Sequence, residues 1–91
     1  MNSAQRKPWL VVLAGPAQKS LERIPPNDHT RLRAAIDAMQ ENPFFGDVRK
    51  LKGGREGFRR RVGDWRIFFD IHAAKHLVVV TAIERRTSKT Y

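Results

Sequence analysis

The stretch Phe58–Arg66, FRRRVGDWR, decides how the rest of the chain is read. Four arginines fall within nine residues, three of them consecutive, and Gly63-Asp64 supplies a tight turn. Two strands joined there put Arg59 and Arg61 on one face of a hairpin and Phe58 and Val62 on the other. A guanidinium recognises phosphate in a planar, bidentate way and carries a charge that does not titrate. A small sheet aiming several guanidiniums at one place is therefore suited to a phosphate. Alternation sets Arg60 on the Phe58/Val62 side, where it either snorkels to the sheet edge or faces a partner.

Downstream, Trp65–Ile71 (WRIFFDI) alternates with period two, with Trp65, Ile67, Phe69 and Ile71 on one side. His72–His76 makes the next turn, and Leu77–Ile83 (LVVVTAI) is the strongest strand of the chain. Upstream, Val48–Lys52 is a possible strand leading through Gly53-Gly54 into Gly57–Val62. Before residue 48 the period is helical. Leu32, Ala35, Ile36 and Met39 form one apolar stripe, with Asn27 or Asp28 as cap and Asn42-Pro43 as stop. Ala17, Leu21 and Ile24 form a shorter stripe between Pro16 and Pro25-Pro26. Phe44 and Phe45 are expected to cover the end of the core. Trp9–Ala14 (WLVVLA) reads as a buried strand that returns beside the last one. The predicted fold class is α+β in the order β-α-α-β-β-β. Two N-terminal helices pack on one face of a small, mostly antiparallel four-stranded sheet, and the other face stays open.

Ninety-one residues make one domain, 1–91, with residues 1–7 expected to fray and 84–91 expected to serve as a functional tail. The net charge of +9 points to a polyanionic partner. Residues 1–48 carry six Lys/Arg against five Asp/Glu, whereas residues 49–91 carry twelve against four. The electrostatic footprint thus belongs to the strand half. No cysteine is present, which excludes disulfide, thiolate and thiolate-metal chemistry. The longest apolar run, Trp9–Ala14, is too short for a membrane span. A cytoplasmic location without secretion is the expectation.

Arg59, Arg61 and, across the turn, Arg66 are candidates for the open face, and Arg85 continues the parity of Leu77, Val79, Thr81 and Ile83. These four are expected to converge on one anion. Lys50 and Lys52 sit in KLKGG, beside glycines but without P-loop spacing, so an ordinary basic hairpin explains them equally well. Tyr91, the single tyrosine, lies where chains fray; folded across the sheet, its ring stacks on a base and its hydroxyl meets a phosphate. His29, His72 and His76 lack metal-ligand spacing, and Asp64, Asp70 and Glu84 form no carboxylate pair. Neither a metal nor a cofactor is expected.

The element order together with KLKGG, FRRRVGDWRIFF and VVVTAIERRTSKTY resembles the RelE/ParE superfamily of bacterial type II toxin–antitoxin toxins. Its most specific part is Arg61-Val62-Gly63-Asp64-Trp65-Arg66, followed by a strand and an arginine-rich end closed by tyrosine. The resemblance implies one of two activities: ribosome-dependent endoribonuclease cutting of mRNA in the A site, as in RelE-like members, or poisoning of DNA gyrase, as in ParE-like members. A third reading is a non-catalytic basic module that only binds an antitoxin. For the nuclease, it implies 2′-hydroxyl attack on the adjacent phosphate. Arg59 and Arg61 would stand at the two basic central-strand positions, Arg66 at the transition-state arginine, Arg85 at the tail arginine and Tyr91 at the stacking tyrosine. Lys50, Lys52 and Arg86 would add RNA contacts. The implied partners are a cognate antitoxin and the 70S ribosome with its mRNA, with DNA gyrase as the alternative target and no membrane. RelE-like members place lysines where this chain has Arg59 and Arg61, and arginine stays protonated. The general base is therefore unassigned by the resemblance.

Overall fold

The computed structural model describes residues 7–53 and 57–86. The expectations for residues 1–6, for Gly54 of the Gly53-Gly54 turn and for the tail at 87–91, Tyr91 included, fall outside that range. In chain order the elements are β1 (Leu10–Leu13), α1 (Gly15–Arg23), α2 (Pro26–Ala38), β2 (Val48–Lys50), β3 (Phe58–Val62), β4 (Trp65–His72) and β5 (Leu77–Arg85). A short 3-10 turn, Ala73–Lys75, joins β4 to β5.

Prolines punctuate the helical half. Pro16 occupies the first turn of α1, where a missing N–H costs nothing. Ile24, before Pro25, is driven into extended conformation (ψ 137°) and ends that helix. Pro26 then opens α2 with its φ already set. The helix thus begins before the expected caps: Pro25 precedes it without a side-chain cap, and Asp28 lies inside its first turn, where a carboxylate favours the dipole.

The sheet has five strands in the order β1-β5-β4-β3-β2, which corrects the four-stranded expectation. β2 pairs antiparallel with β3 and extends the meander by one edge strand. β1 returns beside β5 as anticipated and runs parallel to it, from Leu10 opposite Leu77 to Leu13 opposite Val80. It is not the buried strand expected: as an edge strand it keeps Leu10 and Val12 exposed and only Val11 and Leu13 half-buried. Both helices lie between β1 and β2 in sequence, which gives the chain the length a parallel crossover needs.

The core forms between the helices and one sheet face. Ala17 and Leu21 of α1 and Leu32, Ala35 and Ile36 of α2, with Ile24 and Met39 just beyond the helix ends, meet Ile67, Phe69, Val78, Val80 and Ile83. Trp65, Phe58 and Val62 pack against its rim. Phe44 and Phe45 do not cover it: they are 52% and 63% exposed, and Pro43 is the buried residue of that connector. Phe69 is the largest side chain fully inside. Phe69→Ala is expected to cost about 3–5 kcal/mol, while Phe44→Ala, which loses only an edge-on contact with Phe58, should cost about 0.5–1.5 kcal/mol. Thermal unfolding followed by circular dichroism checks both values. Equal midpoints for the two variants would contradict this packing.

Candidate nucleic-acid interface

Strand pairing builds the basic site on the face turned away from the helices. Arg49 of β2 lies directly opposite Arg59 of β3, and Arg61 of β3 lies directly opposite Arg66 of β4. Directly opposed side chains on one sheet face stand about 4.5–5.5 Å apart at Cβ, and like charges there destabilise the fold. Two such pairs side by side therefore oppose stability, and an anion placed among them would relieve the repulsion.

These side chains share a cavity of about 280 Å³ lined by Asp47, Arg49, Arg59, Arg61, Arg66 and Arg86. Among the described residues, five guanidiniums face one carboxylate there. The Arg61 backbone N–H donates to the Asp47 carbonyl (3.0 Å), and its Nε donates to the Gly63 carbonyl (3.3 Å). Arg59 Nε is buried and meets no acceptor among the described residues. The Asp47 carboxylate stands 3.8 Å from Arg49 Nε, and both groups are at least half exposed, so that pair contributes little. A second cavity of about 580 Å³, lined by Arg49, Lys50, Leu51, Lys52 and Arg59, adjoins the first through Arg49 and Arg59. Lys50 and Lys52 thus extend the basic surface toward the β2 edge.

Arg59, Arg61 and Arg66 come together as expected, but Arg85 does not join them. Phe68 pairs with Ala82 while Phe69 pairs with Val80, so Thr81 is an extra residue in β5. This bulge reverses the parity of the residues beyond it. Ile83 turns into the core, and Arg85, opposite Trp65, places its guanidinium 5.7 Å from the Trp65 ring centroid. Arg86 reaches the cavity instead, its backbone N–H bonded to the Asp64 carbonyl in the hairpin turn. Tyr91 lies outside the described residues. Arg49 was not among the sequence candidates; its signal lay in the alternation of Val48-Arg49, which becomes readable only once β2 is registered against β3. Phe68, on the same face, is buried (8% exposed) opposite Arg59, so an aromatic floor lies under the basic surface.

Among the described residues no cluster of three His, Asp or Glu could hold a metal ion. Chemically the site can bind a phosphate through several forked donors and stabilise added negative charge on it. Among the described residues lining the cavity, Asp47 is the one able to accept a proton.

A family model described as the ParE toxin of the type II toxin–antitoxin system parDE matches residues 11–89. The chain belongs to that family. The toxin is 27% identical over 71 residues to the Methanocaldococcus jannaschii protein named toxin RelE1, covering 75% of this chain and 79% of that one. Its fold is shared by the RelE of the archaeal RelE–RelB complex from Pyrococcus horikoshii (TM-score 0.76, 22% identity, 89% and 98% of the two chains covered). The toxin–antitoxin complex RelBE2 from Mycobacterium tuberculosis gives a TM-score of 0.75 at 21% identity, with 90% and 95% covered. Isolated Escherichia coli RelE gives 0.75 at 14% identity, with 89% and 87% covered. The toxin is thus a RelE/ParE superfamily member with two helices packed on a mixed five-stranded sheet.

Proposed function

We propose that this toxin is a ribosome-dependent endoribonuclease that cuts mRNA in the A site and is neutralised by a cognate antitoxin. The observation that carries the reading is the cavity in which Arg49, Arg59, Arg61, Arg66 and Arg86 meet. In the reaction the 2′-oxygen forms a bond to the neighbouring phosphorus and gives up its proton. The bond from phosphorus to the 5′-oxygen breaks, and that oxygen takes a proton, leaving a 2′,3′-cyclic phosphate and a 5′-hydroxyl. No redox partner or metal enters the balance. Charge builds on the phosphorane oxygens, and fixed guanidiniums stabilise it without reorganisation. Arg59, Arg61 and Arg66 would hold the scissile phosphate and Arg86 would close over it from the strand end. Lys50 and Lys52 would bind the neighbouring phosphate, and Tyr91 would stack on a base. Solved relatives in complex with their antitoxins support an antitoxin partner for this chain.

The family description, which names ParE, favours a second reading: inhibition of DNA gyrase. Induction of the toxin in cells, followed by primer extension on mRNA, separates the two. Cuts within translated codons, with immediate arrest of protein synthesis, are the expected result. Filamentation and DNA damage with intact mRNA would replace the nuclease by the gyrase reading. The bulge adds a sharper expectation. Arg86→Ala should lower cleavage about tenfold or more, as loss of a charge-assisted phosphate contact does, and should exceed the effect of Arg85→Ala. The reverse order would show that Arg85 leaves Trp65 to reach the substrate.

A further inference from the structure

Arg60 is the arginine of the Arg59-Arg60-Arg61 run that the cavity does not use. It stands opposite Val48 on β2 and Ile67 on β4, hence on the helix side of the sheet. Its Nε and Nη1 are buried and meet no acceptor among the described residues. Gly46 lies over its guanidinium so closely that a Cβ there would come within 2.8 Å of Cζ. The Phe45 ring centroid is 5.9 Å from the same carbon, and Phe44 meets Phe58 edge-on at 5.7 Å. Among the described residues, ion pairs join Arg31 to Asp28, Arg33 to Asp37 and Arg49 to Asp47, and no carboxylate pairs with Arg60.

A half-buried guanidinium without counter-charge is unfavourable, and so are two exposed phenylalanines beside it. One ligand relieves both: a carboxylate with an apolar neighbour. We propose that Arg60, Phe44 and Phe45 form a docking point for a segment of the antitoxin carrying an Asp or Glu next to an apolar side chain. The carboxylate is the planar acceptor that matches a guanidinium, and the phenylalanines supply the water-excluding surround in which such a pair gains strength. A nucleic acid is disfavoured as occupant because Arg59, Arg61 and Arg66 point to the opposite face, so a strand held there runs away from Arg60. The inference rests on the antitoxin of the proposed function and not on mRNA cleavage. It separates two tasks across one strand: odd positions of β3 face the target, and position 60 faces the neutralising partner.

The test begins by selecting genomic fragments of the source organism that restore growth to cells expressing the toxin. The antitoxin so recovered is titrated calorimetrically against the parent toxin and against Arg60→Met, Arg60→Lys and Phe45→Ala. Arg60→Met should weaken the complex about 30-fold or more and Phe45→Ala about tenfold. Arg60→Lys should recover part of the loss, and all three variants should still arrest growth when expressed alone. Unchanged affinity in Arg60→Met and Phe45→Ala would overturn the proposal. Loss of toxicity with antitoxin affinity intact would overturn it too, by placing Arg60 with the target-binding residues. Should Arg60→Met fail to fold, Phe45→Ala, at an exposed position, decides by itself. If no fragment restored growth, the antitoxin reading would fail, and this inference with it, whereas the cleavage assay would stand unaffected.

Discussion

Arg66→Ala is expected to lower mRNA cleavage by about a hundred- to a thousandfold, the scale on which removing one preorganised transition-state donor acts. Arg66 sits on β4 directly opposite Arg61 and lines the same cavity as Arg59 and Arg86. It is half-buried, and its neighbours on the strand, Trp65 and Ile67, are anchored at or in the core. Its backbone is therefore fixed while its side chain faces the substrate, and shortening the side chain should leave the fold intact. Arg66 stands between Arg61 on β3 and Glu84 on β5, so its removal relieves one like-charge contact and loses one opposite-charge contact; the two offset, and the thermal midpoint should hold. Cleavage is read by primer extension and stability by thermal unfolding of the same variant. Full cleavage by Arg66→Ala would remove the nuclease assignment of this cavity. Lost cleavage with a collapsed midpoint would show that Arg66 acts through the fold. A lysine at position 66 should restore binding more than rate, because a single ammonium lacks the fork that grips two phosphate oxygens.

Much of this site was legible in the sequence because strand alternation is a strict code while pairing stays regular. Arg59, Arg61 and Arg66 fell on one face by counting twos, and the strand register agrees. Pro25-Pro26 divided the helices for a reason local to the backbone, and the division stands in the fold. Sequence pattern failed where position depends on a partner strand. One extra residue at Thr81 swings Arg85 onto Trp65 and brings Arg86 to the cavity, and no feature of LVVVTAIERR marks that residue as unpaired. Arg49 gained its place from pairing with Arg59 across the β2–β3 loop, a contact invisible to local pattern. Phe44 and Phe45 were misplaced by hydrophobicity alone: it records what a side chain prefers, whereas in this connector Pro43 is the residue that is buried. The count of strands failed at β2: Val48–Lys52 reads as a possible strand, yet its three paired residues are too few to announce a partner, and the four-stranded expectation omits it.

Raising salt from 50 to 200 mM should weaken binding of the toxin to single-stranded RNA by about a hundredfold, if each of the five cavity arginines meets one phosphate at a slope of about −0.7 per contact. The composition of the site sets that scale. Among the described residues, five guanidiniums face one carboxylate in the first cavity, and Lys50 and Lys52 add two further cations in the second. Fluorescence anisotropy with a 2′-deoxy-substituted, uncleavable oligonucleotide measures the slope without turnover. Each contact can then be counted separately: Arg49→Ala and Arg86→Ala should each flatten the slope by about 0.7. Arg60→Met should leave it unchanged, since that guanidinium lies on the helix side of the sheet and has no phosphate to release ions from. The slope thus tests the division of labour along β3 as well as the chemistry of the face. A shallow slope would mean that the arginines meet something other than a nucleic-acid backbone. A steep slope lost on Arg60→Met would place phosphate on both faces of a sheet only one strand thick, which the alternation of Arg59, Arg60 and Arg61 forbids for a single RNA strand.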